Sequence, residues 1–346
     1  MTTDTTTTSS TATADPVLLL TAVVRDVQRL SPSFVRIRLG GDGFEHLGPE
    51  GPTLDQRVKL LVPSPGRSCV TAHLDARGWY AAWLALPEAD RGVLRTYTAR
   101  AVVGEGAERQ LVVDFVLHGS AGHGGSGDVG PGDGGVGPAG AWAAAAAVGD
   151  EIGLIAPRRG CEDGFGGIEF RPGSASRLVL VADETALPAL ASIAEALPPH
   201  VEGVAVVEVP DALDAADVCL PAGIEVHRIV RGGRPRGEQT LERLRACLRL
   251  DSEGRTAAEP PSLGLAGAGA GALPGELDEH VWETPVHSSS GEEVAAAAPL
   301  GSDDTYAWVA GDSDTVKACR RLLVGEAGLP RPQVAFMGYW KHGRPS

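Results

Sequence analysis

The chain has 346 residues, which suggests two domains at ~150 residues each, and 43% of them are hydrophobic, enough for two cores. A formal net charge of −15 argues against nucleic acid or an anionic membrane as a general partner, so an anionic substrate would need a local basic pocket. The five cysteines (Cys69, Cys161, Cys219, Cys247 and Cys319) are too dispersed for a zinc or iron–sulfur signature, and they read as thiols of a reducing compartment.

Residues 1–15 are rich in Thr and Ser and are expected to be a disordered tail. They have neither the basic nor the apolar region of a secretory leader, and no run of ~18 apolar residues follows. The sequence therefore predicts no membrane span and a cytoplasmic location. From 16 to 172 the chain reads as one β domain. VLLLTAVVRDVQRLSP, FVRIRLGG, VKLLVP (58–63), TYTARAVV (96–103) and QLVVDFVLHG (110–119) alternate apolar and polar residues between Gly/Pro turns. That pattern predicts an antiparallel barrel or sandwich. The Gly-rich stretch 119–137 reads as a flexible loop. PAGAWAAAAAVGD then predicts an Ala-rich helix from Pro138 to Gly149, and DEIGLIAPRRG a closing strand.

From 175 to 346 strands alternate with helices, which predicts a parallel α/β sheet. RLVLVA, GVAVVEVP, GIEVHRIV, YAWVAG and QVAFMGYW are its strands, and the segment from Leu241 and the one after Asp312 are helices. Residues 251–303 carry no sustained period and are expected to be a disordered insert dispensable for folding. A barrel beside a parallel sheet creates a cleft between the two where a cofactor can lie.

Five short stretches carry chemistry. In RTYTAR, Arg95 suits a diphosphate, Tyr97 a planar ring, and Thr96 or Thr98 a ring nitrogen. In VDFVLHG, alternation places Asp114, Val116 and His118 on one face. GPAGAWA opens a helix with Pro138 followed by Ala139 and Gly140, leaving backbone N–H groups for an anion. ADETALPA, with Thr185 and Ala186, sits where a parallel strand meets its helix, and it lacks a GxGxxG fingerprint. At the end, Tyr339 and Trp340 precede Lys341, His342 and Arg344, an aromatic pair with a basic cluster. Each has a plain alternative: an ordinary barrel strand, a strand-ending His, a small-residue helix start, a helix cap and a solvated tail.

In this order, with YAWVAG, RRLLVGEAGL and FMGYWKHG, the motifs resemble the siderophore-interacting protein family, the FAD-dependent ferric-siderophore reductases of the ferredoxin-reductase superfamily. The resemblance implies FAD between an N-terminal barrel and a C-terminal α/β domain, with NADPH or NADH as donor, ferredoxin as an alternative donor, and a ferric siderophore as substrate. It implies that Arg95, Thr96, Tyr97 and Thr98 line the flavin and diphosphate. Asp114, Val116 and His118 would contact the ribityl and ring side, Ala139 and Gly140 the diphosphate, and Thr185 and Ala186 the flavin from the sheet domain. Tyr339, Trp340, Lys341 and Arg344 become the substrate residues, with Arg158 and Arg159 as weaker cations. No acid–base residue, triad or metal site is called for. Three departures stand out: Gly140 where relatives often carry Ser, the long loop before it, and the 251–303 insert. Two other readings stay open, a general NAD(P)H–flavin oxidoreductase and a non-catalytic siderophore binder.

Overall fold

The computed structural model describes residues 14–69, 71, 74–117, 137–215, 218–249, 282–284, 287–288 and 300–341. The predicted tail, the Gly-rich loop, most of the 251–303 insert, His118, His342 and Arg344 lie outside these residues, except that Ala14, Asp15 and Gly137 fall within them.

The first half is one antiparallel sheet of seven strands: β1 (Val17–Arg29), β2 (Phe34–Gly40), β3 (Arg57–Val62), β4 (Val93–Thr98), β5 (Ala101–Val103), β6 (Gln110–Val116) and β7 (Glu151–Pro157). Its order is β4-β3-β7-β1-β2-β6-β5. The two outermost strands are successive pieces of one segment. The Ala99 N–H donates to Gln56 on one edge and the Arg100 N–H to Val112 on the other, which closes the sheet into a barrel. The continuous strand expected at 96–103 is therefore split, because each piece serves a different edge. Alternate residues fill the interior, among them Ile37, Leu60, Leu111, Phe115 and Leu154. Each such side chain contributes ~1.5–3 kcal/mol by leaving water. Two helices the sequence reading missed, α1 (Trp79–Ala85) and α2 (Glu88–Arg91), link β3 to β4. They are too short to show a period, yet Trp79 and Trp83 bury against Leu61 and Ile155 outside the barrel. The predicted Ala-rich helix is α3 (Pro138–Ala145), which packs on β3, β4 and β6 and puts Ala139 and Ala143 into the core. A single turn, α4 (Glu162–Phe165), follows β7.

The second sheet has strands β8 (Arg177–Ala182), β9 (Glu202–Val209), β10 (Ile224–Val230), β11 (Trp282–Thr284), β12 (His287–Ser288), β13 (Thr305–Asp312) and β14 (Val334–Trp340). The order is β10-β9-β8-β13-β14-β11-β12, parallel through β14. Helix α5 (Leu187–Ala196) covers one face, with Leu187, Leu190 and Ile193 against Leu178, Leu180 and Trp308. Helices α6 (Glu238–Cys247) and α7 (Ser313–Arg320) cover the other, with Leu244, Val316 and Cys319 against Val179, Val181 and Val309. A π-helical turn, Arg321–Glu326, extends α7. Strand order reverses between β8 and β13, the place where open α/β sheets hold ligands.

The expectation of a structureless insert is corrected at one point. Trp282–Thr284 pairs antiparallel with β14, Trp282 opposite Met337 and Glu283 opposite Phe336. All three residues are buried, and Glu283 takes Arg320 at 2.5 Å. Burying one indole and satisfying an otherwise open sheet edge outweighs the polar composition around it. The sheet is thus mixed rather than purely parallel, and deletion of 251–303 would remove a strand.

The two halves share a polar seam. Asp55 on the barrel accepts from the Trp308 indole at 3.0 Å and from the Glu169 and Phe170 N–H groups. Ser192 of α5 donates to the Arg100 carbonyl at 2.6 Å. Arg100 also pairs with Glu195. Among the described residues, no helix is long and apolar enough to cross a membrane.

Candidate functional site

β4 runs beside β3 with Arg95 opposite Leu60, Thr96 opposite Lys59 and Thr98 opposite Arg57. Arg95 and Tyr97 therefore take the side shared with the barrel core. The Tyr97 ring lies 4.6 Å from Phe115, which in turn meets Trp142 of α3 at 5.8 Å. Burial pushes the Tyr97 hydroxyl up, so it stays neutral, while Arg95 opposes that shift. Arg95 itself is half-buried, and burial lowers its guanidinium from the ordinary value without discharging it. Its side chain donates to the Leu94 carbonyl at 2.8 Å, and among the described residues no carboxylate pairs with it.

Helix α3 packs on β4. Pro138 occupies its first turn and Gly137 its N-cap, so no side chain caps the free N–H groups. A Cβ built on Gly137 meets nothing within 4 Å among the described residues. A half-buried cation on β4 and an uncapped start on the helix that packs against β4 are two donor elements of the kind a phosphate ester takes, as a dinucleotide such as FAD would need.

The other side of β3 and β4 faces the seam. Arg57 and Lys59 are each 2% exposed, an unusual state for two adjacent cations in an acidic chain. Lys59 Nζ donates to Thr96 Oγ1 at 2.7 Å. Arg57 pairs with Glu169 at 2.7 Å and lies 4.2 Å over the Trp282 ring. Trp282 stacks on Tyr339 at 6.1 Å with 13° between the planes, so barrel and sheet meet through these rings. The sequence reading counted VKLLVP only as a strand. The signal was present, since alternation puts Arg57, Lys59 and Leu61 on one face of an otherwise apolar run.

Other expected site residues lie elsewhere. Asp114 and Val116 do share a face, as alternation predicts, but not the Arg95 side. Asp114 is clasped by Arg36 through two bonds of 2.6 and 2.8 Å. Val116 packs into the core beneath α5. The face that alternation defines turned out to be the one laid against the sheet domain. Arg158 donates to the Asp15 carbonyl and Arg159 pairs with Glu50, both away from this face.

At the carboxyl end of the parallel sheet Asp183 is the organising group. Its Oδ1 accepts from the Thr185 N–H, the Thr185 hydroxyl and the Ala186 N–H; its Oδ2 accepts from the Asp312 N–H at 2.7 Å and the Trp340 indole at 2.8 Å. Burial, reinforced by Glu184, nonetheless pushes its carboxyl up to about 6. Glu184 goes the other way: burial alone would raise it, but Arg231 and Arg236 hold it below the ordinary carboxylate range. Thr185 and Ala186 are thus engaged by Asp183, and Ala186 is fully buried. Tyr339 and Trp340, expected to cover one ring together, separate: Tyr339 goes to Trp282, while Trp340 goes to Asp183 with Arg236 4.7 Å above it. Adjacent strand residues point to opposite faces. Lys341 lies 3.7 Å from Asp314.

A closed antiparallel barrel followed by a helix-covered sheet is the ferredoxin-reductase architecture. A ferredoxin reductase of carbazole 1,9a-dioxygenase shares it at a TM-score of 0.50 and 15% identity, over 95% of this chain and 71% of that one. Residues 175–343 match the profile described as "Siderophore-interacting protein", and residues 23–161 the "Siderophore-interacting FAD-binding domain"; the chain belongs to the siderophore-interacting protein family. A siderophore utilization protein from T. fusca superposes with a TM-score of 0.58 at 28% identity, covering 95% of each chain. An uncharacterized protein of Mycobacterium tuberculosis is 35% identical over 211 residues, 60% of this chain and 63% of that protein. The ferric vibriobactin reductase ViuB of Vibrio cholerae is 26% identical over 252 residues, 73% of this chain and 66% of that protein.

Proposed function

We propose that this protein reduces the iron of a ferric siderophore, with FAD held between barrel and sheet and a reduced nicotinamide as electron source. The observation that carries the reading is Arg95, half-buried and with no carboxylate partner among the described residues, on the strand against which the uncapped helix α3 packs. The name of the Vibrio relative, a ferric reductase, supports it. Arg95 and the N–H groups at Ala139 and Gly140 would hold the diphosphate, two anion-binding elements where FMN needs one. Tyr97 would orient the ring system from the Arg95 side of β4, while Thr96 and Thr98 stand on the strand's other face. When bound, the flavin supplies the exchange between a two-electron donor and a one-electron acceptor.

The substrate's Fe(III) is held by hard oxygen ligands, and lowering its charge weakens that hold. Many such complexes are anionic, and the chain repels them at long range with its −15 net charge. Attraction must come from nearby cations. Lys341 at the end of β14 is the candidate for it, with Arg344 a further candidate beyond the described residues. The protein moves no proton in this scheme; its residues position the partners and exclude water.

The test is direct. The purified protein should be yellow and should release FAD, rather than FMN, on denaturation. Reduced anaerobically, it should turn ferric hydroxamate or catecholate into Fe(II) captured by a ferrous chelator. A colourless protein that takes up no flavin, or a reduced one that leaves every ferric complex intact, overturns the reading.

A further inference from the structure

Resting on the reading above, we infer that the reduced nicotinamide donor is taken by its nicotinamide end alone, with no grip on a dinucleotide's phosphates at the switch point of the sheet. The donor class is then a dihydronicotinamide of any tail: NADPH, NADH and reduced nicotinamide mononucleotide (NMNH) serve about equally.

The observations lie at two helix starts. A parallel α/β sheet binds a diphosphate with the N–H groups of the turn after its first strand, aided by close backbone approach across the switch point. Here that turn is Asp183-Glu184-Thr185, and its donors are already used. Asp183 Oδ1 takes the Thr185 and Ala186 N–H groups, its backbone carbonyl takes those of Ala186 and Leu187, and residue 188 is proline. The second start, at α7, is closed in the same way. Asp312 Oδ2 accepts from the Thr315 N–H at 3.0 Å and from its hydroxyl at 3.1 Å, and the Asp312 N–H itself goes to Asp183.

The space between the two starts is also filled. Gly311 ends β13 with no side chain, as a ligand's close approach would require. Yet the Asp183 carboxyl carbon lies 2.5 Å from where a Cβ would stand there. The crevice beyond is lined by Asp183, Glu208, Arg231 and Arg236. Its arginines do not rescue a phosphate site. Arg231 is clasped by Glu184 and Glu208, Arg236 by Glu184 at 2.8 Å, and Arg234, further along the loop, by Glu238 at 2.6 Å. A phosphate arriving here would have to displace carboxylates that are covalently part of the site. Among the described residues lining this crevice, no donor set for an anion is left uncommitted, in contrast with the barrel.

The electron balance needs no such grip. One dihydronicotinamide gives up a hydride, and two Fe(III) become two Fe(II) with release of one proton and the oxidised nicotinamide.

Two measurements on the full-length protein decide it. Flavin-loaded protein is reduced anaerobically with NADPH, NADH and NMNH, and kcat/KM should agree within about threefold. A preference of about thirtyfold or more for either dinucleotide over NMNH overturns the inference. In parallel, ADP-ribose and 2′-phospho-ADP-ribose, which keep the phosphates and lack nicotinamide, are titrated calorimetrically into flavin-loaded and flavin-free protein. No saturable heat is expected, and micromolar binding that survives in flavin-loaded protein overturns the inference whether or not any donor works. If all three donors fail and ADP-ribose does not bind, the nicotinamide donor of the proposed function falls, and with it the claim of equal use.

Discussion

The start of α3 and the starts of α5 and α7 are three helix N-termini in one chain, and they have opposite fates. On the barrel, Gly137 leaves the first N–H groups of α3 uncapped, and α3 packs on the strand that carries Arg95, which has no carboxylate partner among the described residues. On the sheet, Asp183 takes the Thr185 and Ala186 N–H groups of the turn that leads into α5, and Asp312 caps α7 at the Thr315 N–H. A helix start binds an anion only when the protein has not already supplied one. The chain thus keeps its own carboxylates where a dinucleotide donor would dock and withholds them where a resident cofactor would.

Four experiments break or sharpen that contrast. The largest effect is expected from Asp183→Ala, which strands five donors at the end of the sheet. It should cost ~3 kcal/mol in urea unfolding, with Asp183→Asn losing less, because unmet buried donors pay their full desolvation. A variant as stable as the parent would show the caps to be ornamental. Next, Arg95→Ala should weaken FAD by ~2 kcal/mol, about thirtyfold in a flavin fluorescence titration, while unfolding in the absence of flavin stays nearly unchanged. Arg95→Lys should recover part of the affinity, since one ammonium replaces a two-pronged donor.

The third experiment varies pH. The Asp183 carboxyl titrates near 6 in the fold, against an ordinary value near 3.8. The folded state therefore holds this proton more tightly than the unfolded one. The associated stability is complete below about pH 4 and is lost as pH rises through 6. The Trp340 indole N–H, which donates to this carboxyl, should report it as an NMR shift with a midpoint near pH 6. A shift that stays flat between pH 4 and 8 would contradict the assignment. The smallest effect is the most pointed. Gly137→Asp gives α3 the cap that α7 already has, at a backbone position with φ −61° that tolerates any side chain. It should add ~0.5 kcal/mol to the flavin-free protein and lower its FAD affinity, so the two readings move in opposite directions.

The barrel, the α/β sheet and the start of α3 were legible in the sequence because each has a local signature: alternation, strand–helix rhythm, and Pro after Gly. What was not legible depended on partners distant in sequence. Lys59 looked like one polar residue in a strand until the fold laid it against Thr96. Asp183 looked like part of a turn, although its ligands include Asp312 and Trp340, far along the chain. Alternation correctly grouped Asp114 with Val116, but it cannot say which of two faces meets a second domain. Trp282 had no period around it at all; its strand exists only because β14 offers an edge.

That borrowed strand has a further consequence for colloidal behaviour. With β11 in place, β14 is an interior strand, and the last rung among the described residues is the two-residue β12. So short an edge is a poor template for another chain. A variant lacking β11 would leave the backbone of Phe336 and Met337 open along a flat apolar strand. Such a protein would be prone to join a second copy edge to edge, so the insert doubles as a guard against self-association.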